Sequence, residues 1–214
     1  MTLFAGPSAH GIPRARLLRG DTELRAPVRR GDLDRLRTEQ APGVAVLCDG
    51  VFQSEPAVSH AEICHALDAG WQVWGVSSIG AIRAYEMRLE GMQGFGWVYD
   101  QFFGHDDFTD DELCLLHLPV EPYLPLTEAL VNLRYALAQQ GAALGIGNRS
   151  RRVLLARLRE LWFGDRSPER MLELMLGPAR IDAAAARRLL AWTARHRVKT
   201  IDLDGLMRRR PWER

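Results

Sequence analysis

Lysine is all but missing from this sequence: of its 28 basic residues 27 are arginine, and Lys199 is the single lysine. Coding-sequence base composition accounts for that dominance as readily as a demand for guanidinium groups. Cysteine is scarce too. Cys48, Cys64 and Cys114 are widely spaced and form no CxxC pair, which excludes a disulfide framework and a zinc ribbon and argues for a reducing compartment. No apolar run approaches the roughly 18–20 residues of a membrane span, and the opening MTLFAGPSAHGIP has no basic segment ahead of an apolar one. A cytoplasmic globule with no membrane association is expected. The sequence shows no HExxH and no paired-carboxylate pattern, and Gly91, Gly94 and Gly96 do not follow a strand as a dinucleotide-binding loop must. Neither a metal nor a cofactor is therefore expected. No RNP, zinc-finger or helix-turn-helix signature is present, so nucleic acid is an unlikely partner.

What remains is ordinary globular material: 214 residues, 47% hydrophobic and 26% charged. A chain of this length buries roughly 70% of its unfolded surface and needs no staple. Charge is uneven along it. Residues 1–149 hold 12 basic and 19 acidic side chains, and residues 150–214 hold 16 and 8. The basic segments RRVLLARLRELWFG and AAARRLLAWTARHR interleave arginine with apolar residues at helical spacing, so solvated faces of amphipathic helices explain them best.

LFAGPS, LRAPV, VAVLCDG and QVWGVSS read as buried strands bounded by Gly, Pro or Asp. PAVSHAEICHALDAG lies between the last two as a helix, which makes a βαβ unit with parallel strands. IGAIRAYEMRLEGM reads as the next helix, LCLLHL as a further strand, and the acidic stretch HDDFTDDE, with Asp106, Asp107, Asp110, Asp111 and Glu112, as a solvated turn. From Leu126 onward the pattern is helical, with Ser167-Pro168-Glu169 a helix start. The fold class is α/β: an N-terminal parallel-sheet core over 1–140 and a helical C-terminal layer over 141–214, packed as one unit.

The segment Gly75-Val76-Ser77-Ser78-Ile79-Gly80-Ala81 runs from a buried strand through two serines into a helix. Hydrolases use that arrangement to present a serine hydroxyl at the C-terminal edge of a sheet, beside the N–H groups of the following helix. Ser78 has glycine two positions on and Ser77 has glycine two positions back; a purely structural serine N-cap is an equal alternative. Asp49-Gly50-Val51-Phe52 ends the preceding strand and belongs to the same edge, where Asp49 serves a turn or orients a catalytic base. His60, Cys64 and His65 follow on one helix, with Cys64 read as a core thiol.

In succession these segments resemble the TfuA-like family. The resemblance is carried by Phe4-Ala5-Gly6-Pro7-Ser8, Gly31-Asp32-Leu33, Cys48-Asp49-Gly50-Val51-Phe52, Pro56-Ala57-Val58 with His60 and Glu62-Ile63, and Gly75 through Ala84 with Glu86. It continues through Gly91-Met92-Gln93-Gly94, Asp110-Asp111-Glu112 with His117, then Tyr123, Pro125-Leu126, Glu128-Ala129 and Val131-Asn132-Leu133-Arg134, and so covers about residues 1–140. It implies an accessory protein of a YcaO enzyme in the biosynthesis of a ribosomally made peptide natural product. The YcaO enzyme activates a backbone amide with ATP, and sulfur replaces the oxygen to give a thioamide. The accessory protein assists sulfur transfer by hydrolysing the thiocarboxylate of a ubiquitin-like sulfur carrier protein and strengthens the enzyme's hold on the precursor peptide.

The resemblance also implies a hydrolase-like serine–lysine site. The serine falls on Ser77-Ser78, with Ser78 preferred, but the family's lysine position is Ala61 here, and Lys199 stands far along the chain. His60 and His65 are the candidate replacement bases, with Asp49 as orienter, although helix geometry suggests that neither imidazole reaches Ser78. Whether the protein is an enzyme is thereby left open. The alternatives are a stand-alone serine hydrolase of small acyl or thioester substrates and a non-catalytic binding partner.

Overall fold

Val44-Ala45-Val46-Leu47 offers no polar position to solvent, a pattern suited to a strand covered on both faces of a parallel sheet. In the computed structural model, which describes residues 1–51, 55–104 and 108–213, this segment is the central strand. The strands are β1 (Thr2–Phe4), β2 (Glu23–Arg25), β3 (Val44–Leu47), β4 (Gln72–Val76) and β5 (Gln93–Phe95). They pair in parallel throughout, in the order β2-β1-β3-β4-β5. That order reverses between β1 and β3, which in a doubly wound sheet opens a crevice at the C-terminal ends of those two strands. The α/β class and the parallel sheet are as the sequence indicates. Phe52 of the strand-end motif and Asp106 and Asp107 of the acidic stretch lie outside the described residues.

Helices α1 (Arg14–Leu17), α2 (Asp32–Glu39), α3 (His60–Asp68), α4 (Ile79–Glu86) and α5 (Trp97–Gly104) connect or follow the strands. The start of α3 is fixed by a capping box, in which Ser59 Oγ accepts the Glu62 N–H and Glu62 Oε1 accepts the Ser59 N–H. The remaining helices are α6 (Leu130–Gln140), α7 (Asn148–Arg159), α8 (Pro168–Leu176), α9 (Ala183–Arg195) and α10 (Val198–Arg209). At α8 the Ser167 side chain caps the first turn with Pro168 behind it, as its sequence signal requires.

Two compact units result. One comprises residues 1–108 together with 199–214; the other is 109–198. The sequence instead suggests a boundary near residue 140, with everything beyond it in one helical layer. Leu203, Leu206 and Met207 explain the return of α10 to the sheet, because they share an apolar cluster with Leu3, Val46 and Val76. Trp74 and Trp212 meet edge to face within the same unit.

In the second unit α6 to α9 close around Leu130, Leu133, Leu154, Leu158, Met171, Met175 and Leu189. LCLLHL is not a strand there. Asp110–Leu113 forms a 3-10 turn, and the rest joins only an isolated bridge between His117 and Pro125. A short apolar run has no decisive period, and this one finds no sheet to enter. Nor is the whole acidic stretch solvated: Glu112 is fully buried and receives Arg134 in a two-pronged pair, with two further bonds from Arg159 to its Oε1. Arg166, also fully buried, donates to the carbonyls of Leu158, Asp111 and Leu161 and pairs with the Asp111 carboxylate.

Candidate functional site

Three chain segments deliver hydroxyl and carboxylate groups to the C-terminal edge of the sheet. Ser8 lies in a 3-10 turn (Pro7–Ala9) just after β1, Asp49 follows β3, and Ser77-Ser78 join β4 to α4. The turn after β1 and the end of β3 flank the reversal of strand order. Ser8, Asp49, Ser77 and Ser78 are all buried.

Asp49 is the hub. Its Oδ2 accepts the backbone N–H groups of Gly6 (2.8 Å) and Ser8 (2.9 Å), and its Oδ1 accepts the Ser8 hydroxyl at 2.7 Å. A carboxylate gathering three donors at a strand end is held in place more firmly than a turn requires. The Cys48 thiol lies beside it, with Sγ 3.8 Å from Oδ2. Burial pushes that thiol well above its ordinary range and the negative charge of Asp49 adds to the effect, so Cys48 is an inert filler of the site's floor.

The two serines divide the features of a nucleophile elbow between them. Ser77 carries the strained backbone, with φ +65°, a conformation that side chains other than glycine rarely adopt. Its hydroxyl is committed, donating to the carbonyl of Lys199 at 2.6 Å. Ser78 is the N-cap residue of α4, yet its side chain makes no capping bond. Its backbone carbonyl instead takes the Ala81 and Ile82 N–H groups. Of the two, Ser78 has the hydroxyl not tied to the helix end, beside the positive pole of α4.

Glycines make this elbow sterically possible. A Cβ at Gly80 would fall inside the van der Waals envelope of the Leu47 carbonyl, and one at Gly75 would strike the Gly80 carbonyl and Ala84. The first turn of α4 thus rests directly on the ends of β3 and β4, and the Gly80 N–H reaches the Cys48 carbonyl at 3.3 Å.

Lys199, remote in sequence, is not remote in space. It is 3% exposed, and its Nζ stands 3.9 Å from Asp49 Oδ1. Distance along the chain is thus no guide here: the first turn of α10 brings the single lysine to the aspartate. Three residues on, and so on the same helix face, Asp202 accepts the N–H groups of Trp97 (3.0 Å) and Val98 (2.8 Å) at the start of α5. Burial pushes the Asp202 carboxyl up to about 7, against the pull of those two N–H groups.

The histidines go elsewhere. His60 Nε2 lies 2.8 Å from Glu86 Oε2, and His65 Nδ1 lies 3.6 Å from Asp34 Oδ1; both side chains are more than half exposed. Burial raises the Glu86 carboxyl, but hydrogen bonds from His60 and Arg83 outweigh it and hold the group below its ordinary value. No hydrogen bond among the described residues joins either imidazole to Ser77 or Ser78. Ala61 supplies no polar group. The structure thus gathers Asp49, Ser77 and Ser78 and leaves His60 and His65 on outer surfaces.

Sequence reasoning missed Ser8 and Lys199. Ser8 was visible as a hydroxyl at the end of the first strand segment. The signal for Lys199 was its rarity, a lone ammonium in a chain that otherwise uses guanidinium. Among the described residues no group of three or more His, Cys, Asp or Glu is placed to hold a metal ion, and no helix is long and apolar enough to cross a membrane.

A family model described as TfuA-like protein matches residues 49–167, more than half of the chain, and no curated protein matches it. The matched segment opens on Asp49 and contains Ser77 and Ser78; Ser8 and Lys199 fall outside it.

Proposed function

Because this chain belongs to the TfuA-like family, we propose that it serves as an accessory protein of a YcaO-type enzyme in peptide backbone thioamidation. Its part is to handle an acyl sulfur donor at the serine-bearing edge of the sheet. The observation that carries this reading is the elbow itself: a strained Ser77, a Ser78 hydroxyl that makes no capping bond at the helix start, and a buried carboxylate on the neighbouring strand end. Ser78 is the hydroxyl that meets the acyl group, Asp49 fixes the turn after β1 through its Gly6 and Ser8 donors, and the N-terminal pole of α4 stabilises developing negative charge. A thiocarboxylated, ubiquitin-like carrier protein is the donor, and the precursor peptide is met through the YcaO enzyme. The lysine that the family resemblance implies has no counterpart at Ala61, and because His60 and His65 face Glu86 and Asp34, catalysis by a histidine of α3 is not part of this reading.

Coexpression of precursor peptide and YcaO enzyme, with and without this protein, tests the proposal by mass. Thioamide, seen as sulfur in place of oxygen, is expected to depend on the protein and to fall with Ser78→Ala. Equal product without the protein would remove the accessory role. The elbow also favours a second reading, a stand-alone serine hydrolase. Fluorophosphonate labelling that disappears in Ser78→Ala, together with esterase turnover in the absence of any partner, would support it.

A further inference from the structure

Lys199 and Asp49 form a buried pair at the C-terminal edge of the sheet, and the reading of the serine site gives the lysine no part. We infer that Lys199 is a fixed cation anchoring the anionic end of the acyl donor, a carboxylate or thiocarboxylate at the tip of a peptide tail, and that α10 is therefore a working part of the serine site. This rests on the proposed reading of that site as one handling an acyl sulfur donor.

The argument begins with burial. The side chains of Lys199 and Asp49 are 4% and 2% exposed, and an ammonium is retained at such a place only when compensated. At 3.9 Å the contact between these two groups is coulombic rather than a hydrogen bond. The oxygens of Asp49 are turned to the Gly6 and Ser8 donors, which leaves its charge shared and its geometry set before Lys199 is counted.

Placement comes next. Ser77 Oγ is bonded to the Lys199 carbonyl, so the backbone carrying the ammonium is tied to the strand–helix turn that carries Ser78. The same face of α10 is fixed again at Asp202, by two backbone donors from the start of α5. Such a doubly held cation is preorganised, and a preorganised charge spends little on reorienting when an anion arrives.

Charge balance then selects the ligand. With Asp49 alone, the crevice would repel a carboxylate or thiocarboxylate. With Lys199 beside it the pair is neutral, and the positive pole of α4 tips the edge toward anions. A general base would act through a neutral amine and an anchor through the ammonium, and the contact with Asp49 is that of a charge pair.

The test uses the full-length protein and two synthetic probes, a short glycine-ended peptide bearing a C-terminal thiocarboxylate and its carboxamide, with affinity read by calorimetry. Wild type is expected to prefer the thiocarboxylate by about ten- to a hundredfold, the range of one charge-assisted contact. Lys199→Met should erase the preference, while Lys199→Arg keeps much of it. Should Lys199→Met fold poorly, Asp49→Asn/Lys199→Met removes both charges together and should erase the preference as well. A preference that survives loss of the ammonium overturns the inference and leaves the proposed function standing. So does unchanged binding with hydrolysis abolished in both Lys199→Met and Lys199→Arg, the signature of a base. A wild type that binds neither probe overturns the inference together with the reading on which it rests.

Discussion

At the scale of single residues, Ser77 combines two opposed terms. Holding φ at +65° costs a residue with a side chain about 1–2 kcal/mol relative to glycine, and the buried bond to the Lys199 carbonyl returns about 1 kcal/mol. Ser77→Gly releases the strain as it loses the bond and is expected to leave stability within about 1 kcal/mol of wild type. Ser77→Ala keeps the strain and loses the bond, so about 1 kcal/mol should be lost in urea denaturation. A glycine variant markedly less stable than the alanine variant would contradict this account. Asp202 makes a different demand. Its carboxyl is raised by burial to about 7, so the folded state binds a proton that the unfolded chain has released. The resulting stabilisation is complete below the ordinary aspartate value near 3.8 and is lost as pH rises to about 7, at up to about 1.4 kcal/mol per unit. Melting curves between pH 5 and 8 should show wild type weakening upward through that window. Asp202→Asn should flatten this contribution.

Among the elements, α4 meets the ends of β3 and β4 so closely that neither Gly75 nor Gly80 has room for a Cβ. Gly80→Ala would drive a methyl group into the Leu47 carbonyl, and because that neighbour is backbone there is no side chain to swing aside. A loss on the order of 3 kcal/mol is expected by thermal or chemical denaturation. This contact was legible in outline, since glycine two positions after Ser78 marks a close approach in any elbow. The strands β1, β3 and β4 were legible as well, because buried parallel strands are written as short apolar runs between Gly, Pro and Asp. β5 was not: Gln93-Gly94-Phe95 has one large apolar side chain, and it is a strand only because β4 offers an edge to pair with. α10 was equally hidden. Its apolar residues Leu203, Leu206 and Met207 do recur on one face, but nothing local says that this face meets Leu3 and Val46. With α10 went Lys199, so the half of the site that depends on tertiary return could not be read, while the half set by strand ends could.

On the scale of the whole molecule, the arginines of the helical unit serve the interior as well as the surface. Arg166 is wholly buried, and three backbone carbonyls and the Asp111 carboxylate depend on it. Arg166→Met should leave those acceptors unmatched and cost about 3–5 kcal/mol, the usual penalty for breaking a buried ionic network from one side. Hydrogen exchange is the measurement to use, with lost protection expected at the backbone around Asp111 and Leu158. Arg166→Lys should restore little, because one ammonium cannot reproduce a planar fork with bonds in several directions.

The 122 residues separating Ser77 from Lys199 also impose an order in time. Translation completes the strand ends with Ser8, Asp49 and both serines first, makes the entire helical unit next, and only then supplies the ammonium. Throughout that interval the nascent chain has an aspartate in its crevice with no lysine opposite it. If the anchor is what holds an acyl anion, an unfinished polypeptide cannot capture the sulfur donor, however well its sheet has formed. Competence would then begin with the closure of α10 onto the strands, and a chain ended between the last strand and residue 199 would lack both the anchor and the apolar cover that Leu203, Leu206 and Met207 give the sheet.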